Sequence, residues 1–118
     1  MTTEQNKTVA RRTFEEVWNK GNLAVIDETS APNLVNHFTP PGMPAGREGF
    51  KQFAKAYRAG FPDLHFVLFR AYAGARSVVL HYQSVQGLVA AECMELDEDG
   101  RIRRVQAHYA LGPDPAAA

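Results

Sequence analysis

Apolar positions change their spacing once along this chain, near residue 64. Before that point they recur every three or four residues. Val9, Ala10, Thr13, Phe14, Val17 and Trp18 trace one face of a helix and predict a first helix from Glu4 to Lys20. Thr2 with Gln5 forms a capping box at its start, and Gly21 suits the position just past its end. A short second helix is expected over Leu23–Thr29, capped by Asn22 and ended by Ala31-Pro32, because the residue before a proline avoids the helical region. Phe50, Phe53, Ala54 and Tyr57 repeat the pattern and predict a third helix, Arg47–Ala59, stopped by Gly60.

From Leu64 onward the period is two. Leu64, Phe66 and Leu68 alternate with His65, Val67 and Phe69, and Ala73-Gly74-Ala75 turns the chain. Strands are expected over Ser77–Val85, Leu88–Leu96 and Arg101–Leu111, joined by turns at Gln86-Gly87 and Asp97-Glu98-Asp99-Gly100. Helices first and an antiparallel meander second predict an α+β domain over residues 1–112. Pro113-Asp114-Pro115 and three alanines, residues 113–118, have nothing to bury and are expected to be a disordered tail.

Composition narrows the function. The chain of 118 residues suits one domain with one core, and its hydrophobic share of 45% against 22% charged is that of an ordinary soluble globule. Thirteen basic residues balance 13 acidic ones, so no basic field attracts nucleic acid or anionic lipid. No apolar run is long enough to span a membrane, and the N-terminus lacks the pattern of a secretory signal. A single cysteine, Cys93, excludes an internal disulfide and reads as an inert buried thiol in a reducing cytoplasm. The four histidines show no metal-ligand spacing, and no phosphate loop, nucleophile elbow or dinucleotide fingerprint occurs; neither a metal nor a cofactor is expected.

Two residues carry candidate chemistry. His37 follows an apolar approach, Leu34-Val35, and stands at the lip of the Pro/Gly loop Thr39–Gly46, which can continue neither helix nor strand. It reads equally as a titrating group in a pocket mouth or as a partly exposed histidine bonded to backbone. Glu92 is the anomaly of its strand. It shares a face with Leu88, Ala90, Met94 and Leu96, opposite Val89, Ala91, Cys93 and Glu95. If that face is inward, desolvation favours the neutral acid, which can donate a hydrogen bond to an oxyanion; the swapped reading puts Val89, Ala91 and Cys93 inside. In the last strand Val105, Ala107, Tyr109 and Leu111 form the inward set. His65, His81 and His108 fall off the pocket face by the same alternation. Phe14, Trp18, Phe38, Phe53, Tyr57, Phe61, Tyr82, Met94 and Tyr109 are the candidate walls of a ligand cavity. The outer sheet face, with His81, Gln83, Val85, Ala91, Cys93, Gln106 and His108, is semi-polar and poor in charge, which suits burial against a second copy.

Four stretches carry a family likeness: Phe14-Glu15-Glu16-Val17-Trp18-Asn19-Lys20-Gly21-Asn22; Val35-Asn36-His37; Pro41 through Phe50; and Phe61-Pro62-Asp63-Leu64, with the Asp99-Gly100-Arg101-Ile102 hairpin closing the set. In this order and spacing the chain resembles the SnoaL-like polyketide cyclases, within the nuclear transport factor 2-like superfamily that also holds the ketosteroid isomerases. The resemblance implies helices packed into a strongly curved sheet, a cone with an open mouth. It also implies that Glu92 matches the isomerases' protonated oxyanion-hole acid, His37 their general base and Phe14 their oxyanion-hole tyrosine. Phe14 lacks the hydroxyl, which speaks against steroid isomerisation. Gln86-Gly87 replaces the cyclases' long insertion between the central strands, and Ala110 follows His108-Tyr109 where cyclases commonly carry an aspartate.

The expected function is binding of a small apolar carbonyl- or enol-containing molecule, with cofactor-free isomerisation or cyclisation in which His37 abstracts a proton and Glu92 donates to the enolate. The alternative is a non-catalytic ligand-binding or structural homodimer. A third class, epoxide hydrolase or dehydratase, requires an Asp/Arg or His/Asp set in the cavity, for which Arg70 and Asp63 are the available residues.

Overall fold

The computed structural model describes residues 2–110. Three helical segments lie against one face of a five-stranded sheet. Helix α1, Thr3–Phe14, begins at the Thr2/Gln5 capping box and runs directly into a π-helical turn, Glu15–Asn19. The expected single helix to Lys20 therefore changes register at Phe14. The wider turn, of a type often found near functional sites, still buries Val17 and Trp18. Gly21 then takes φ +68°, as the reading of helix end required.

Helix α2 is shorter than expected, Val25–Thr29. Asn22 does not cap it: Ala24 precedes the helix with helical dihedrals, and the Asn22 amide reaches back toward Glu16 at 3.4 Å. The chain leaves α2 straight into a strand that the sequence pattern did not suggest, β1 over Ser30–Asn36. Helix α3 spans Gly46–Gly60, with Phe50 and Ala54 buried.

The meander follows: β2 Val67–Ala73, β3 Ser77–Gln83, β4 Val89–Leu96 and β5 Ile102–Tyr109. The spatial order is β1-β5-β4-β3-β2. The three meander pairings are antiparallel, and β1 joins β5 in parallel, so the sheet is mixed. A bulge at Phe69 shifts the register, because Leu68 faces Tyr82 while Arg70 faces His81. Strand β3 stops at Gln83; Val85–Gly87 forms a tight 3-10 turn with Gln86 at φ +56°, so Val85 belongs to a turn packed on the core and not to the outer sheet face. The tail 113–118 and Leu111 lie outside the described residues.

Alternation sorts the sheet faces as read. Val78, Leu80, Tyr82, Ala90, Met94, Leu96, Val105 and Ala107 are buried beneath the helices. Their neighbours Val79, His81, Ala91 and Cys93 form the other face and are only half buried. Cys93 is therefore half-exposed, contrary to its expected burial.

Candidate functional site

Trp18, set by the π-turn, is the hub of the aromatic core. Its indole meets Phe50, Phe53 and Tyr57 of α3 edge-on, at centroid distances of 6.2, 6.2 and 5.4 Å, and lies 5.5 Å from Phe66. The next residue, Asn19, holds Phe66 in place: its side-chain oxygen accepts the Phe66 N–H at 2.6 Å and its amide donates to the Phe66 carbonyl at 2.9 Å. Arg58 of α3 donates to the Trp18 carbonyl, tying the helix to the turn.

These rings roof a cavity whose sheet side is Tyr82, Glu92, Val105, Ala107 and Tyr109, and whose β1 side is Asn36 and Phe38. Its volume is about 20 Å³, room for about one water. Phe38, 41% exposed and stacked edge-on with Tyr109 at 6.0 Å, is the wall nearest solvent. A ligand larger than water fits only when the lining side chains move apart. Two larger recesses lie elsewhere, about 610 Å³ at the Asp97–Asp99 turn and about 450 Å³ between Phe61–Leu64 and Ser84–Gly87. Neither sets a buried titratable group against apolar walls.

Glu92 lies where alternation on β4 places it, 4% exposed, opposite Leu80 on β3 and Ala107 on β5. Its Oε2 has no hydrogen-bond partner. Burial pushes its carboxyl up from the ordinary 4.5 to about 7. Three phenols share the space. Burial first, and Glu92 next, push the Tyr82 phenol well above its usual value; burial and then Tyr57 do the same for Tyr109. The site thus holds one carboxyl able to exist in either form near neutrality, with the Tyr82 and Tyr109 phenols held neutral beside it.

His37 is not part of this wall. It is exposed in the turn after β1, and its backbone N–H donates to the Val105 carbonyl at 3.1 Å. The expected pairing of His37 with Glu92 across one cavity gives way to Asn36 with Glu92. The cause is strand geometry: Leu34 points inward, so Asn36 does too and His37 turns out. Among the other candidate wall residues, Trp18, Phe38, Phe53, Tyr57, Tyr82 and Tyr109 line the cavity. Phe14 and Met94 are core residues beneath it, Phe14 packing edge-on against Tyr82 at 4.8 Å. Phe61 stacks on Tyr57 at 5.2 Å and lines the recess beside it. Phe50, Phe66 and Asn36 line the cavity without having been singled out; the first two were visible only as core periodicity. Arg70 and Asp63 are exposed, so no Asp/Arg set enters the cavity. His65 and His108 are exposed and His81 packs against Phe69 on the outer face, at 5.3 Å. Among the described residues no cluster of three metal-ligating side chains occurs, and no helix is long and apolar enough to cross a membrane.

Solved structures share this architecture. A SnoaL-like protein of unknown function from Burkholderia thailandensis is 26% identical with a TM-score of 0.78, the match covering 93% of this chain and 98% of that one. A protein from Agrobacterium tumefaciens, proposed as an isomerase of the SnoaL-like family, is 22% identical with a TM-score of 0.71, covering 91% and 98%. IdmH from Streptomyces antibioticus, proposed as a polyketide cyclase, is 21% identical with a TM-score of 0.72, covering 89% and 91%. No curated protein matches the chain. The family model for SnoaL-like polyketide cyclases matches residues 8–111, nearly the whole described fold, and the chain belongs to that family.

Proposed function

We propose that the protein binds a small, flat, unsaturated molecule in the aromatic cavity and moves a proton on it through Glu92, acting as a homodimer. The observation that carries this reading is Glu92 itself: a buried carboxyl with an unpartnered oxygen, set among aromatic rings. A structural carboxylate at this depth would be paired, since leaving a buried polar atom unsatisfied costs about 1–3 kcal/mol. The ionised form takes a proton from carbon next to a carbonyl, giving an enolate and neutral Glu92; the same proton returns to carbon at another position. This step balances without a cofactor. A carboxyl titrating near 7 is suited to both halves of it. Family relatives proposed as an isomerase and as a polyketide cyclase support chemistry of this class.

The test is proton exchange of 2-tetralone, a bicyclic ketone with an acidic position next to its carbonyl, followed by deuterium incorporation near neutral pH. The protein should raise the exchange rate above buffer, and Glu92→Gln should lower that increment at least tenfold, while His37→Ala leaves it unchanged. Equal exchange by wild type and Glu92→Gln overturns the proton-transfer reading. Calorimetric binding without exchange would favour a ligand-binding protein.

A further inference from the structure

We propose that Asn36 is the specificity-determining residue of this cavity: its amide donates to the hydroxyl oxygen of an enol or phenol, whose own proton is given to the Glu92 carboxyl. The proposal rests on the cavity being a ligand site, as argued above, and adds the group by which the enol form of a ligand is held in preference to the ketone.

The orientation of the Asn36 amide is fixed from outside the cavity. Its Oδ1 accepts the Phe38 N–H at 3.2 Å, so the carbonyl end is held by the turn and the NH2 end is left for the cavity. That Nδ2 is buried and has no partner. Glu92 Oε2 is buried and has none either. The two do not satisfy each other, and the sheet explains why. Asn36 pairs with Val105, and Glu92 with Ala107, so strand β5 lies between them. Neighbouring strands are about 4.8 Å apart, which puts β1 and β4 roughly 10 Å apart, and the step from Val105 to Ala107 adds about 7 Å along the strands, too far for direct contact of two short side chains. Ala107, with its single methyl, leaves the floor between them open. A ligand group that accepts from Asn36 and donates to Glu92 would satisfy both. A ketone oxygen accepts only, a hydrocarbon does neither, and an enol or phenol hydroxyl does both. The aromatic walls then select a flat ring system to carry it.

The experiment is calorimetric titration of the intact protein with 2-naphthol, 2-methoxynaphthalene and naphthalene, near pH 6, where Glu92 is mainly neutral. Wild type should bind 2-naphthol about fivefold to tenfold more tightly than 2-methoxynaphthalene, and naphthalene most weakly, each lost hydrogen bond corresponding to roughly that factor. Asn36→Leu should reduce the preference for 2-naphthol over naphthalene by about the same factor, without weakening naphthalene binding. Asn36→Ser, which keeps a donor but shortens it, serves where the leucine variant melts early, and should also lose the preference. Equal binding of all three probes by wild type, or a preference unchanged in the variants, overturns the role of Asn36 and leaves the cavity as an apolar site. Absence of binding by any probe overturns the ligand-site reading itself, and this proposal with it.

Discussion

A carboxyl that folding keeps out of water makes stability depend on pH in a direction opposite to the usual acid denaturation. Glu92 titrates at about 7 in the folded chain and near its ordinary 4.5 when unfolded. Below about 4.5 both states are protonated and no penalty exists. Between 4.5 and 7 the unfolded chain gives up the proton and the folded one keeps it, so stability falls as pH rises, and the loss levels off once the folded carboxyl also ionises. The total is on the order of 3 kcal/mol. Glu92→Gln should flatten this slope and be as stable as wild type or more so above pH 7, read from urea midpoints at several pH values; a uniformly weaker variant would mean that the carboxylate is paired. Glu92 was legible in the sequence because one acid among Ala90, Met94 and Leu96 contradicts its face. Asn36 was not, because its face is defined only once residues 30–36 are known to be a strand. Without that period, the more reactive neighbour, His37, drew the assignment.

The elements that carry these residues are seated by backbone contacts that composition hides. Helix α3 starts at Gly46, at φ +74°, where a Cβ would come 2.5 Å from the Pro32 carbonyl oxygen. One turn on, a Cβ on Gly49 would sit 1.7 Å from the Pro44 carbonyl oxygen. The first turn of α3 thus packs backbone to backbone against β1 and its own preceding loop, which aims Phe50, Phe53 and Tyr57 at Trp18. Alanine is the better helix former by about 1 kcal/mol. Gly49→Ala should nevertheless destabilise by about 2 kcal/mol or more in urea melts, because backbone rather than a flexible side chain must give way. Strand β1 escaped the sequence reading for a related reason. Pro32 has no N–H and signals the end of a helix, yet an edge strand tolerates it, and the register of β1 with β5 is irregular between Ser30 and Val35. The π-turn left no trace either, since one residue of extra width keeps Val17 and Trp18 on an apolar face. The strongly periodic parts, α3 and the β3–β5 meander, were read to within a residue or two at most ends.

At the scale of the molecule, the helices cover one face of the sheet and, among the described residues, leave the other bare. On that bare side and its edges Val67, Phe69, Tyr72 and Val89 are each more than a third exposed. The proposed second copy would cover this face, and a formal net charge of zero sets up no long-range repulsion between two protomers. Ala91, central on this face between His81 and His108, is the position to probe. Ala91→Lys should shift sedimentation at micromolar concentration toward the monomer while leaving the thermal melt of the diluted chain nearly unchanged; a wild-type protein that sediments as a monomer removes the dimer from the proposal. The position of β5 has a consequence in time as well as in space. It is the last strand of the meander, yet it lies between β4 and β1 and is, among the described residues, the only strand paired with β1. A chain emerging from synthesis can close its helices and pair β2, β3 and β4 while β1 waits, because contacts so distant along the chain bear the largest loop-closure cost. Asn36 comes from the early strand, Glu92 and Tyr109 from the late ones, so the cavity comes into being with the final pairing. Any molecule held there recognises only chains that have finished folding, and in holding them it protects the step that came last.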